Sequence, residues 1–295
     1  MSNAPTLEQL RTFIAVCESG SFSAAAIRLG RAQSVVSYTI ANLESELGIA
    51  VFERSKRRPV LTPAGRAILA DARRLDLLMS QLSANAAGMA QGLEAEIALV
   101  VDVMFPFQKL TAALQAFTHA FPTVALNLTM EALGGVLKLV MEGECCLGIS
   151  GPNGNWPDVI ETNALGGIQL VPVAAASHAL AQRGQIRIAE AREHTQLVLS
   201  DRSRLTEGQS FGVYGARIWK LADLGAKHRL LLAGLGWGSM PLHLVENDLA
   251  AGTLVRLDLV DRFRSDYKMS LINRIDTPVG PALQWMKQHL KQDMA

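Results

Sequence analysis

The chain has 295 residues, enough for two domains, and its 49% hydrophobic and 19% charged residues can bury a large core. No run of about 18 apolar residues is present, so no membrane-spanning segment is expected. "MSNAPTLEQLRTF" lacks the basic and apolar regions of a secretory signal. Three cysteines, Cys17, Cys145 and Cys146, make no disulfide framework and suit a reducing cytoplasm. Net charge is +1, but residues 1–92 hold ten Lys and Arg against seven Asp and Glu, and "RSKRRP" at 54–59 gathers four cations in five positions.

Leu7, Leu10, Phe13, Ile14 and Cys17 recur at three- and four-residue steps, which predicts a first amphipathic helix ending near Gly20. Ser21 or Ser23 can cap a second short helix, "SAAAIRLG", closed by Gly30. After the turn Gly30-Arg31-Ala32 comes "AQSVVSYTIANLESEL", residues 32–47. One face carries Val36, Ile40, Leu43 and Leu47; the other carries Ser34, Tyr38, Ala41 and Ser45, with Gln33 and Ser37 on its flank. A solvated face would carry several Lys or Glu residues, whereas hydroxyls, an amide and a phenol can reach base edges and phosphates. Two short helices joined by a Gly-containing turn form a helix-turn-helix pattern, and "GIAVFERSKRRPVLT" reads as a hairpin or wing with a basic tip. The candidate DNA-binding residues are Arg31, Gln33, Ser34, Ser37, Tyr38, Arg54, Lys56, Arg57 and Arg58, the cations serving phosphates. Spacing alone favours DNA binding, with a small helical packing domain and a solvated basic turn as the alternative.

The stretch from Leu10 to Gly65 also resembles the N-terminal domain of LysR-type transcriptional regulators. The resemblance rests on Leu10, Phe13, Gly20-Ser21-Phe22, Ala25-Ala26, Leu29, Gln33, Ser37, Leu43-Glu44, Leu47-Gly48, Phe52, Arg54, Leu61-Thr62 and Gly65. It implies a winged helix-turn-helix that binds double-stranded DNA. Two positions depart from the family pattern: Ala32 replaces the usual Ser or Thr cap, and Ser34 stands where Pro is common. Either Ser34 caps the helix two residues later or the backbone is capped otherwise.

Thr62-Pro63 is a helix start. Beyond it Ile68, Ala72, Leu75, Met79, Leu82, Ala86 and Met89 recur at alternating steps of four and three, a heptad seam. Residues 63–90 would span about 40 Å. A long helix with one apolar stripe suits pairing with a second copy, although packing on its own domain would give the same stripe. The resemblance likewise implies a dimerising linker, and further association into a homotetramer. A two-fold dimer predicts a pseudo-palindromic DNA site.

After Gly92, extended runs ("IALVVDV", "VALNLTM", "CLGIS", "IQLVPVAA", "QLVLS", "LVRLDLV", "YKMSLINR") alternate with helical ones at 108–120, 132–142 and 224–233, predicting α/β layers with largely parallel sheets. The expected domains are 1–62 for the head, 63–92 for the linker and 93–295 for a regulatory domain. The resemblance implies that this last domain has two α/β subdomains like those of periplasmic binding proteins (about 93–163 with 267–295, and about 164–266), with an effector cleft between them. Ligands in open α/β sheets bind beyond the carboxyl ends of strands. This rule selects Asp102, Val103, Met104, Thr129, Glu131, Ser150, Ser200, Asp201 and Arg202, and the resemblance points to the same segments. The acidic Asp102 and Glu131 disfavour a simple carboxylate effector unless Arg202 or backbone amides offset them. The expected ligand therefore carries hydroxyl or amine donors, with an aromatic part packing on Met104, Phe105 and Met130.

"GLGWG" at 234–238 lacks a Walker lysine and is expected to be a tight turn into a buried strand. Cys146 could be a thiol sensor or a small buried apolar residue; without a neighbouring cation the second reading is preferred. Six histidines show no H-E-x-x-H pairing, no Gly-x-Ser-x-Gly elbow occurs, and no cysteine pair has metal spacing. No catalytic residue, metal or cofactor is expected. The sequence thus reads as a cytoplasmic DNA-binding regulator that responds to a small molecule. The alternative is a small-molecule-binding protein or enzyme that uses its N-terminal domain for assembly only.

Overall fold

The structure, a computed structural model, describes residues 4–53, 58–153, 155–200, 203, 205, 212–260 and 266–292. The chain divides into two compact units, Met1–Ala90 and Gln91–Ala295.

The first unit holds α1 (Leu7–Ser19), α2 (Phe22–Leu29), α3 (Gln33–Leu47) and α4 (Pro63–Ala90). Thr6 and Gln9 form a reciprocal capping box on α1, so two otherwise orphaned backbone donors are satisfied. Ser21, not Ser23, caps α2, its Oγ accepting from Ala24 N at 3.1 Å. Gly20, Gly30 and Gly48 end the three helices in the left-handed conformation that side chains avoid. Phe13, Val16, Val36 and Leu43 are fully buried, with Phe52 edge-on to Phe13 and Phe22.

Several residues of the sequence motif fix the turn between α3 and α4. Glu44 Oε1 accepts from Val51 N at 2.7 Å and Phe52 N at 3.2 Å, and Phe52 pairs antiparallel with Leu61. Thr62 Oγ1 accepts from Gly65 N at 2.8 Å, capping α4. A Cβ on Gly65 would lie 2.1 Å from Val51 O, so only glycine permits this approach.

The second unit continues in chain order with β1 (Glu96–Asp102), α5 (Phe107–Ala120), β2 (Ala125–Glu131), α6 (Gly134–Met141), β3 (Leu147–Ser150) and β4 (Ile160–Ala175). Next come β5 (Gln185–Ile186), α7 (Ile188–Ala191), β6 (Gln196–Leu199), β7 (Ile218–Leu221), α8 (Leu224–Leu232) and β8 (Trp237–Pro241). The chain ends through α9 (Leu242–Ala251), β9 (Leu254–Arg256), β10 (Asp258–Leu259), β11 (Asp266–Arg274) and α10 (Pro281–Gln292).

The main sheet runs β2-β1-β3-β11-β4-β8-β6-β7, with β9 also on β4. β1 pairs parallel with β2 and β3, and β6 pairs parallel with β7 and β8. The middle of the sheet is antiparallel, because β11 returns between β3 and β4 and β4 also meets β8 and β9 in the opposite sense. β4 is twice as long as its apolar run "IQLVPVAA". Its first part, to Gln169, pairs with β11, and its second part, from Leu170, pairs with β8. These two strands join the lobes, the first carrying α5, α6 and α10, the second α7, α8 and α9. Gly234 (φ 73°) makes the tight turn before β8, whose Trp237 is fully buried.

Candidate DNA-binding face and effector cleft

α3 begins at Gln33, with Ala32 as N-cap and no side-chain cap. The backbone supplies the closure: Val35 N and Val36 N donate to Ala32 O at 3.1 and 3.2 Å. Ser34 therefore lies inside the first turn and does not cap. Val36, Ile40 and Leu43 face the core, leaving Gln33, Ser34, Ser37 and Tyr38 exposed, Tyr38 at 69%. Gln33 Oε1 accepts from Ser23 Oγ at 2.9 Å, which holds the amide at the turn between the two helices. Arg31 is exposed and ion-paired with Glu8, and Arg58 is exposed. Arg54, Lys56 and Arg57 lie outside the described residues. The arrangement offers base-edge donors and acceptors on one helix face, with cations on the turns beside it.

The heptad seam divides along α4. Ala72 is buried in the head's own core and Ile68 packs half-buried against it. Arg11 Nε pairs with Asp76 at 2.6 Å, holding α1 against the same part of α4. Beyond that point Leu75, Met79, Leu82, Ala86 and Met89 are exposed, as are the neighbouring Leu77 and Leu78. Such a concentration of apolar side chains is unusual on a solvated helix.

In the second unit a cavity of about 500 Å³ opens where β4 and β11 pass between the lobes. Met104 and Leu133 line it from the first lobe, Leu170 and Tyr267 from the joining strands, and Leu197 and Lys227 from the second lobe. This size and apolar lining match small-ligand clefts. Of the seven described residues among those selected at strand ends, Met104 alone is among the lining residues. Val103, Thr129, Glu131 and Ser200 are half-buried, Ser150 is buried, and Asp201 and Arg202 lie outside the described residues. Met130 is 37% exposed and Phe105 is buried; neither lines the cavity.

Asp102 stands behind the cleft wall, fully buried. Its carboxylate accepts from Met104 N at 2.8 Å, Leu133 N at 3.3 Å and Tyr267 Oη at 2.9 Å, and so positions three wall residues. Burial raises its pKa to about 6 against the opposing pull of these hydrogen bonds. Gly151 makes room for this cluster, since a Cβ there would lie 2.1 Å from Tyr267 Oη. Leu133 holds φ at 50°, an uncommon conformation for a non-glycine residue, at the same wall.

Lys227, Ser239 and Tyr267 are cleft residues that the strand-end rule does not select. Lys227 had a signal in the sequence: Leu224, Lys227 and Leu231 fall on one helix face, and all three are buried. A lysine on an apolar face calls for a partner. Its Nζ donates to Ser239 O at 2.6 Å, and burial lowers its pKa to about 8. The thiols give no reactive site. Cys146 donates to Ala98 O at 3.2 Å, and burial raises the pKa of Cys17 and Cys145 to about 11 and that of Cys146 above its ordinary value. Among the described residues no cluster of His, Cys, Asp or Glu could hold a metal, and no helix is long and apolar enough to cross a membrane.

A helix-turn-helix with a polar reading face, continued by a long helix and then by a two-lobed α/β unit with a cleft at its waist, defines a ligand-responsive transcriptional regulator. Two family models match the chain: "Bacterial regulatory helix-turn-helix protein, lysR family" over residues 7–66 and "LysR substrate binding domain" over 90–295. The chain belongs to the LysR family of DNA-binding transcriptional regulators. It is 31% identical over 269 residues to the probable transcriptional regulator YhaJ of Escherichia coli, covering 85% of each chain. It is 27% identical over 286 residues to the regulator AceR of Acinetobacter baumannii, covering 96% of each. Among solved structures it resembles full-length CbnR in complex with its target DNA, at 25% identity, a TM-score of 0.50 and coverage of 98% and 100% of the two chains. OxyR of Corynebacterium glutamicum shares the fold at 22% identity and a TM-score of 0.55, over 99% and 93%.

Proposed function

We propose that this regulator works as a homodimer joined through the exposed part of α4, and associates further into a homotetramer. Paired α3 helices read a pseudo-palindromic promoter site, with Gln33, Ser34, Ser37 and Tyr38 toward base edges. Arg31, Arg54, Lys56, Arg57 and Arg58 engage phosphates. A small-molecule effector occupies the cleft around Met104 and Tyr267, and its preference for one arrangement of the two lobes shifts the DNA contacts available to the assembly. The protein acts in the cytoplasm and is not an enzyme. The observation that carries this reading is the exposed, uncharged polar face of α3 in a helix-turn-helix. DNase footprinting on the gene's own upstream region tests it. Protection of two inverted half-sites is expected, and uniform cleavage by a folded, dimeric protein would refute it.

A further inference from the structure

The cleft's chemistry is set by which polar atoms in its wall already have partners. Gln196 is buried and its acceptor is fully used: Oε1 accepts from Tyr214 N and Gly215 N at 2.7 Å each, and Nε2 donates to Gly212 O at 2.7 Å. Asp102 is enclosed behind the wall with its acceptors engaged, so it does not charge the cleft directly. Asp266 and Lys268 are exposed residues of opposite sign on β11.

Lys227 differs from all of these. It is 3% exposed, and among the described residues its one hydrogen bond is to a neutral carbonyl, with no carboxylate beside it. That bond uses one of three ammonium donors. The neighbouring Ser239 Oγ is shielded from solvent and has no partner among the described residues. Both residues line the cavity, where β6 and β8 register only at Gln196↔Trp237. Among the described residues this leaves a buried ammonium with no counter-charge and a buried hydroxyl with no partner, an arrangement that is costly in a folded protein and that a ligand would complete.

We infer that the effector is a small organic carboxylate whose anionic end is held by Lys227 Nζ and Ser239 Oγ while its apolar body packs on Met104, Leu133 and Leu170. This inference deepens the reading of the cleft as the effector site and rests on it. It also reverses the amine- or hydroxyl-bearing ligand expected from the sequence, because the acidity of Asp102 is spent on the wall. An ammonium–carboxylate pair in a largely apolar cavity gains strength from the low local dielectric and gives Lys227 the counter-charge that no described residue supplies.

The test is calorimetric titration of the full chain at pH 7 with benzoate and hexanoate, each compared with its neutral amide. The acids are expected to bind at least tenfold more tightly than the amides. Lys227→Met, which keeps the stem's bulk, should erase that preference, and Ser239→Ala should weaken the acids severalfold. Leu170→Trp, which fills the cavity, should abolish binding of both sets. Equal or tighter binding of the amides, failure of both acids to bind, or an acid preference that survives Lys227→Met would overturn the carboxylate assignment. Amides that bind and are blocked by Leu170→Trp would leave the cleft as the effector site with a different ligand class. Acids that bind regardless of both Lys227→Met and Leu170→Trp would remove the cleft reading as well.

Discussion

At Asp102 the balance between burial and hydrogen bonding can be measured. The backbone amides of Met104, Leu133 and Gly151 and the Tyr267 hydroxyl stabilise the carboxylate, yet burial outweighs them and raises the pKa from 3.8 to about 6. Between these two values the native state holds a proton that the unfolded chain has released, so stability falls as pH rises from about 4 through about 6 and levels off above. The full displacement is worth about 3 kcal/mol. Glu161 contributes with opposite sign: Lys287 and two asparagine amides lower its pKa to about 2, and its stabilisation is lost only as pH drops below about 4.5. His178 and His243, whose pKa values burial lowers, act in the opposite sense on the way to pH 6.5, so urea unfolding between pH 4 and pH 8 should show the wild-type midpoint falling relative to that of Asp102→Asn. Parallel curves for the two proteins would mean that Asp102 is not protonated in the native state. Its position at a strand end was legible in the sequence. Its role was not, because enclosure by Tyr267, 165 residues away, depends on the return of β11 beside β4.

At the scale of elements, amphipathic spacing located most helices and strands, but it could not say what covers each apolar face. The heptad seam is the clearest case. One continuous pattern serves two partners: Ile68 and Ala72 complete the head's own core, while Leu75 onward remains exposed. Substitution should separate them. Leu82→Asp is expected to leave the head folded and halve the mass seen in sedimentation, whereas Ala72→Asp should unfold the head by burying an unpaired charge. An unchanged mass for Leu82→Asp would exclude this face from the dimer. The start of α3 is a second case. Ala32 supplies no side-chain oxygen, so Ala32→Ser should stabilise the head by about 1 kcal/mol, read from its thermal unfolding. No gain would mean that the backbone closure at Ala32 already satisfies the first turn. The length of β4 was hidden for a related reason, since its first half, "IETNALGG", carries little apolar alternation and is held by pairing with β11.

At the scale of the whole molecule, the sequence announced its regulator class through residues whose packing roles are now explicit. Glu44 ties the turn after α3, Thr62 caps α4, and Gly65 admits the carbonyl of Val51. The ligand cleft was far less legible. Its wall draws on β1, the α6 entry, β4, β6, α8, β8 and β11, so side chains from Met104 to Lys268 meet only after the lobes are linked by two antiparallel strands. A rule based on strand ends reaches Met104 in the cavity wall, but a lysine donated by a helix lies beyond its reach.

The central claim is that α3 reads sequence while the neighbouring cations supply non-specific attraction. Fluorescence anisotropy on the protein's own upstream DNA, against a scrambled duplex and across a salt series, tests it most directly. Gln33→Ala should lose most of the preference for the native site while retaining affinity for the scrambled one, and Arg58→Ala should weaken both alike and reduce the salt slope by about one. Equal binding of the two duplexes by the wild type, or a preference untouched by Gln33→Ala, would contradict it.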